Sequence, residues 1–154
     1  MHPNFAIVGA LVQFFGSWPY LRDTIKGTVK PNRVSWLLWS IAPLIAAYAQ
    51  FQQGVGLIFL TTFVVGFVPI VIVTASFLNK EAEWNITKFD VICGALSLLG
   101  LILWQITKVG NLAILFSIIA DGLAAMPTVI KSYHEPETEN DTIYWFGVIN
   151  AALG

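Results

Sequence analysis

The chain has 154 residues, of which 56% are hydrophobic and 11% are charged, with a mean hydropathy of +0.73 and a formal net charge of −1 at pH 7. Soluble domains usually carry about 25% charged residues, so a small soluble core could not bury this much apolar surface, and the composition indicates a membrane protein. The charge balance excludes a basic surface for nucleic acid, and the single cysteine, Cys93, excludes an intrachain disulfide and a cysteine-based zinc site.

Six apolar runs follow one another along the chain, and crossing the hydrocarbon core takes about 20 mainly apolar residues. Spans 1 to 5 cover about residues 5–21, 34–51, 55–78, 89–106 and 112–130, and span 6 runs from Ile143 to Gly154. A backbone in lipid must satisfy its own hydrogen bonds, and a run of this length does so as a helix. The sequence therefore predicts an all-α, multi-pass membrane protein. Span 6 has only 12 residues, which is too short to cross, so we expect a truncated chain.

Basic residues concentrate on one side of the predicted spans. The loops after spans 1, 3 and 5 hold seven of the eight Lys and Arg residues, namely Arg22, Lys26, Lys30, Arg33, Lys80, Lys88 and Lys131. The other side holds Lys108 alone. Because cytoplasmic loops carry the excess of Lys and Arg, the amino terminus is predicted outside, with loops 22–33, 79–88 and 131–142 in the cytoplasm.

A shift of the chain on itself by 108 residues aligns span 1 with span 5. Pro19 then falls on Pro127 and Gln13 on Asp121, so each proline follows a polar intramembrane residue by six positions. An asparagine that precedes a Trp-containing apolar run also recurs at this offset. Spans 1 and 5 are both odd-numbered and cross in the same direction, so the repeat is parallel, about an axis along the membrane normal.

The repeat predicts an architecture of two parallel triple-helix units joined by one linker helix, a 3-1-3 plan. Residues 5–78 form the first unit, 89–106 the linker transmembrane helix, and 112–154 the second unit, which is incomplete. Without the linker, the second unit would be upside down relative to the first.

One face of each aligned helix is small or polar at the spacing i, i+4, i+7. These faces are Gly9, Gln13, Gly16, Ser17 and Tyr20 on span 1, and Ser117, Asp121, Ala124, Ala125 and Thr128 on span 5. Small residues at such positions are typical of close helix packing. A carboxylate at mid-membrane costs about 2.5–3.5 kcal/mol and usually marks a pathway or proton relay. The alternative for Asp121 is a structural role that holds two helices together.

The candidate solute path combines polar members of these faces with three tryptophans near the cytoplasmic ends of spans 2 and 6. Its residues are Gln13, Ser17, Trp36, Trp39, Ser117, Asp121, Thr128 and Trp145. For the tryptophans, an interfacial aromatic belt is the alternative to a platform on which a ligand ring stacks.

Prolines within the spans remove a backbone donor and bend the helix. Pro19, Pro43 and Pro127 are the candidate hinges, and static kinks are the alternative. The sequence contains no motif for a metal, a cofactor or catalysis, so none of these is expected.

The tripeptides WPY at 18–20 and MPT at 126–128, with the basic loop that leads to Asn32, resemble the SWEET and PQ-loop membrane proteins. The PQ dipeptide itself is absent. The resemblance covers spans 1, 2 and 5 and the visible part of span 6, and it is greatest to bacterial members, which implies an inner-membrane location. It also implies triple-helix bundles, an outside amino terminus, and uniport or exchange of a small solute between the two units.

The sequence thus predicts a transporter of a small polar solute that works by alternating access between two units, with proton linkage left open. A non-transporting membrane receptor or assembly protein of the same fold is the alternative. An intramembrane enzyme is disfavoured because Asp121 lacks a catalytic partner. The expected partners are the lipid bilayer and a small-molecule solute, without nucleic acid, and a homo-oligomer is left open.

Overall fold

The computed structural model describes residues 3–78, 86–107 and 110–153, and within these ranges the chain is helical and contains no strand. The α-helices are α1 (Pro3–Gly16), α2 (Trp18–Lys26), α3 (Arg33–Gln52), α4 (Phe59–Ser76), α5 (Lys88–Ile106), α6 (Gly110–His134) and α7 (Thr142–Leu153). Short 3-10 turns at Gly56–Ile58 and Pro136–Thr138 precede α4 and α7. The prediction of an all-α fold is confirmed.

Three helical segments in the described ranges are long and apolar enough to cross a membrane: Arg33–Gln52, Gly56–Ser76 and Lys88–Ile106. The distribution of side chains agrees with a lipid environment. Large apolar side chains such as Phe15 and Leu78 are exposed, whereas the interior holds many hydroxyl and amide groups. A soluble monomer rarely exposes so much contiguous apolar surface.

The first apolar run forms two helices, which differs from the single helix expected over residues 5–21. The break lies at Ser17, between α1 and α2, and Pro19 occupies the first turn of α2. Proline cannot donate to a carbonyl of the preceding turn. The hydroxyl of Ser17 donates to the Phe14 carbonyl oxygen at 2.7 Å and stabilises the end of α1. The aligned Pro127, in contrast, lies inside the continuous helix α6.

Polar caps set where the helices begin. The side-chain oxygen of Asn32 accepts a hydrogen bond from the Ser35 amide at 3.1 Å, at the start of α3. Asn140, its counterpart in the repeat, accepts from the Thr142 amide at 2.9 Å, where α7 begins. Such caps satisfy amides that have no partner within the helix. Both aligned asparagines thus bond to an amide at a helix start, Asn32 to the third residue after it and Asn140 to the second.

A capping box starts α5. Thr87 accepts from the Asp90 amide at 3.1 Å, and the Asp90 carboxylate accepts from the Thr87 amide at 2.7 Å. The two reciprocal bonds satisfy two free amides of the first turn. This arrangement explains why Asp90 is buried in the first turn of an apolar helix.

Arg33 connects the start of α3 to the end of α4. Its Nε donates to the Ser76 hydroxyl at 3.0 Å, its Nη2 donates to the Ser76 carbonyl at 3.1 Å, and its guanidinium lies over the Phe77 ring. A cation at a helix carboxyl terminus pairs with carbonyls that have no intrahelical partner. The α3–α4 pair is thereby fixed at the end that carries the basic loops.

Helix packing follows a simple order. Helix α4 lies between α1 and α3 and packs on both, and α5 packs mainly along α6. Helix α6 also packs on α3, and α7 packs mainly on α1. The two halves of the chain therefore meet at α1 with α7 and at α3 with α6.

Glycines and other small residues let these helices approach closely. A Cβ on Gly66 of α4 would lie 2.7 Å from Leu44 Cγ and 3.0 Å from the Leu44 backbone nitrogen, on α3. A Cβ on Gly100 of α5 would lie 3.0 Å from the Cβ of Ala120 on α6. The hydroxyl of Ser97 donates to the Ala120 carbonyl oxygen at 2.7 Å and reinforces the second contact.

Gly66→Ala is expected to destabilise the bundle, because the new methyl group meets the backbone of α3 as well as a side chain. Overpacking of this kind costs roughly 1–3 kcal/mol. Thermal unfolding in detergent micelles measures the effect as a lower Tm. Gly122→Ala is the matched control, since no other heavy atom of the described chain lies within 4 Å of its added Cβ. Equal Tm values for the two variants would contradict the close approach.

Candidate functional site: a cavity with unpaired polar atoms

A cavity of about 1110 Å³ lies between the helices and extends along α3 from Trp36 to Gln50. Residues from α1, α3, α4, α5, α6 and α7 line it, and most of the lining is apolar. Ligand pockets usually measure about 300–1,000 Å³ and are apolar with a few placed polar groups. The cavity is therefore large enough for a small solute together with water.

Several polar atoms in the cavity wall are buried and have no hydrogen-bond partner within the described chain. They are Oε1 of Gln13, Oε1 of Gln50 and Oδ1 of Asn150, on residues that line the cavity. Gln13 is 8% exposed and Asn150 is 4% exposed. A buried polar group without a partner costs about 1–3 kcal/mol, so such atoms normally pair with water or a ligand. These amides are therefore polar groups of the cavity lining whose hydrogen bonds are incompletely satisfied.

Asp121 of α6 belongs to the same cavity lining as Gln13 of α1. Its side chain is exposed to the cavity and makes no ion pair or hydrogen bond to the described residues. The amide oxygen of Gln13 would lie 3.7 Å from a Cβ on Gly147 of α7. The two residues that the 108-residue shift aligns therefore line one space.

Half of the eight residues predicted for the solute path line the cavity. These are Gln13, Trp36, Trp39 and Asp121. The helix period explains their convergence, because each predicted face turns toward the centre of the bundle.

The other predicted path residues lie elsewhere. Ser17 is buried and its hydroxyl is used by the Phe14 carbonyl. Thr128 is buried with an unpaired hydroxyl oxygen, but it is not among the cavity-lining residues. Trp145 is 66% exposed, and the neighbouring Tyr144 lines the cavity instead. The side chain of Ser117 lies outside the described residues.

Sequence reasoning missed two amides of the cavity, Gln50 and Asn150. Asn150 lies three residues after Gly147 and seven after Ile143, which share its helix face and also line the cavity. That spacing is the signal that could have identified it. Gln50 lies seven residues after Pro43 on the corresponding face of α3.

A group of aromatic rings lies at the end of the cavity nearest the basic loops. The ring centroids of Tyr20 and Trp36 are 5.0 Å apart, and those of Trp36 and Tyr144 are 6.3 Å apart. Tyr20 is fully buried and Trp36 nearly so, although Trp36 and Tyr144 line the cavity. Two of these three rings therefore belong to the cavity wall at this end.

One carboxylate connects two of these rings. Glu139 Oε2 accepts hydrogen bonds from the Tyr20 hydroxyl at 2.9 Å and from the Tyr144 hydroxyl at 3.3 Å. Glu139 Oε1 lies 2.8 Å from Lys131 Nζ, and both side chains are largely buried. We call Tyr20, Trp36, Lys131, Glu139 and Tyr144 the loop-end cluster.

Two further bonds join the loops on either side of the loop-end cluster. The Lys30 amide donates to the Thr138 carbonyl oxygen at 2.9 Å. The side-chain nitrogen of Asn140 donates to the Asp23 carboxylate at 3.2 Å. The loop that follows α2 and the loop that follows α6 are thereby bonded to each other.

Comparison with protein-family models, with curated proteins and with solved structures gives no match to this chain. The candidate site is therefore defined by the geometry of the described residues.

Glu139→Ala is expected to destabilise the loop end, because two tyrosine hydroxyls and a largely buried ammonium lose their shared acceptor. Hydrogen bonds to a charged group contribute about 1.5–3 kcal/mol, and a loss of that size should appear as a lower Tm in micelles. Glu137→Ala, in the same loop but exposed, should leave Tm unchanged. An unchanged Tm for Glu139→Ala would show that the cluster contributes no stability.

Proposed function

We propose that the protein is a membrane transporter for a small polar solute and that the central cavity is the solute's binding site. The observation that carries the proposal is a cavity between the helices of an otherwise apolar bundle whose lining includes the Asp121 carboxylate and the side-chain amides of Gln13, Gln50 and Asn150. Polar groups at membrane depth are costly, and where they line a shared cavity they typically mark a solute pathway.

Two observations support an arrangement of two parallel units joined by α5, the 3-1-3 plan. A shift of 108 residues carries α1 onto the start of α6 and α3 onto α7. The contact of α1 with α7 therefore corresponds to the contact of α6 with α3, and both contacts are present. The caps at Asn32 and Asn140 recur at the same shift. Both relations are those expected of two equivalent units, and the basic residues that follow spans 1 and 5 favour units that cross in the same direction. In this plan α6 and α7 belong to the second unit, as α1 to α4 belong to the first.

The same proposal includes an inner-membrane location and a likeness to the SWEET and PQ-loop proteins. The distribution of Lys and Arg supports an outside amino terminus. The loop-end cluster then lies at the cytoplasmic face.

A transport cycle requires the bundle to open at the end that holds the loop-end cluster. The break at Ser17 lies just before Tyr20, so a change of angle between α1 and α2 would move this ring of the cluster. Pro19 in the first turn of α2 makes this position a hinge. Pro43 lines the cavity and Pro127 is buried within α6, and both leave a carbonyl of the preceding turn without its helical donor.

Uptake into proteoliposomes tests the proposal. A labelled sugar, a neutral amino acid and an amine are offered separately, and at least one should enter faster than into empty liposomes. Gln13→Ala combined with Asn150→Ala should slow that uptake about tenfold or more, since two cavity hydrogen bonds are lost. Val129→Ala, an exposed apolar position of α6 that does not line the cavity, is the control. Solute binding without uptake would favour the receptor or assembly role.

Proton linkage through Asp121 belongs to the same proposal, because its carboxyl group is accessible from the cavity. Uptake by the unmodified protein should change when a pH gradient is imposed. Asp121→Asn keeps the size and hydrogen-bonding capacity of the side chain and should abolish this response. Asp141→Asn, at an exposed loop position, should retain it. A pH response that persists in Asp121→Asn would assign Asp121 a structural role.

A further inference from the structure

We propose that the cavity selects a small organic cation that carries an N–H donor, such as a primary amine without a carboxylate, and that Asp121 is its counter-ion. This inference rests on the proposed function of the cavity and specifies the chemical class of its solute. Charge and aromatic lining support it, and the hydrogen-bonding groups of the lining agree with it.

Charge gives the first argument. Asp121 is the only charged residue in the described lining of the cavity, which contains no Lys, Arg or His. A monovalent cation would neutralise this carboxylate, whereas a neutral solute would leave it unpaired in a medium of low dielectric constant. A carboxylate or phosphate on the solute would meet a like charge and no compensating cation. Anions and zwitterionic amino acids are therefore disfavoured.

Hydrogen bonding gives the second argument. The unpaired amide atoms of Gln13, Gln50 and Asn150 are all carbonyl oxygens, which accept hydrogen bonds. An ammonium group offers up to three donors and no acceptor. The cavity lining thus holds three side-chain amides, on α1, α3 and α7, whose carbonyl oxygens are of the type that an alkylammonium group binds.

Aromatic side chains give the third argument. Trp36, Trp39, Trp104 and Tyr144 all line the cavity, and Trp36 and Trp39 meet edge to face with ring centroids 5.4 Å apart. The face of an indole ring attracts a cation by about 0.5–2 kcal/mol, more where water is excluded. The apolar remainder of the lining suits the hydrocarbon part of an organic cation rather than a hydrated ion.

A metal ion fits this site less well. Hard cations take six or more oxygen ligands and usually more than one carboxylate. In the part of the chain that the structure describes, no group of three or more His, Cys, Asp or Glu residues is placed to hold a metal.

The test compares three molecules with one carbon skeleton: isopentylamine, isopentanol and isovalerate. Binding to the purified full chain in micelles is measured by calorimetry and by tryptophan fluorescence. The amine should bind with a Kd about tenfold or more below that of the alcohol, and isovalerate should bind more weakly still. Equal affinity for amine and alcohol, or preference for isovalerate, would overturn the proposal without any variant being needed.

Substitution of single aspartates tests whether Asp121 is the counter-ion of the amine. Asp121→Asn should raise the Kd of isopentylamine about tenfold or more and leave that of isopentanol unchanged. Asp141→Asn, whose side chain is exposed in a loop, should change neither. An unchanged amine Kd in Asp121→Asn would overturn the role of this carboxylate.

Transport measurements test the cation site separately from the proposed transport function on which it rests. Amine binding without exchange of labelled isopentylamine across proteoliposomes would leave the cation site standing and would contradict transport. Uptake of a sugar or a neutral amino acid without amine binding would support transport and contradict the cation site.

Discussion

A polar group in hydrocarbon must find a partner within the protein or lose several kcal/mol, and this constraint shapes the whole bundle. The backbone meets it by forming helices. Buried hydroxyls meet it by bonding to carbonyls, as Thr24 does with Tyr20 of its own helix and Ser97 does with Ala120 of the next. The unpaired oxygens of Gln13 and Asn150 are exceptions to this constraint, and both residues line the cavity.

Features that depend on local chain geometry could be predicted from the sequence. Apolar length identified the helices, because crossing a membrane needs a fixed rise. The internal repeat placed Gln13 and Asp121 at equivalent positions, and the helix period turned both toward one cavity. The asparagines that precede α3 and α7 cap those helices because their short side chains reach the free amides.

Features that depend on the exact rotation of a helix, or on contacts between residues far apart in the sequence, could not be predicted from the sequence. Adjacent residues on a helix point about 100° apart, so an aromatic pair in the sequence does not reveal that Tyr144 faces the cavity and Trp145 faces outward. Tyr20 and Glu139 are 119 positions apart and belong to different halves, and no periodicity relates them.

The bonds between the loops after α2 and α6 determine the resting population of the proposed cycle. Three hydrogen bonds, from Tyr20, Lys30 and Asn140, join the first half of the chain to the second at this end. At about 1 kcal/mol net for each, these bonds would raise the ratio of the closed form to a form with this end parted. A solute shifts that ratio only as far as it prefers the rarer form. Turnover would thus depend on differential affinity between two conformations, and a tight ligand without such a preference would act as an inhibitor.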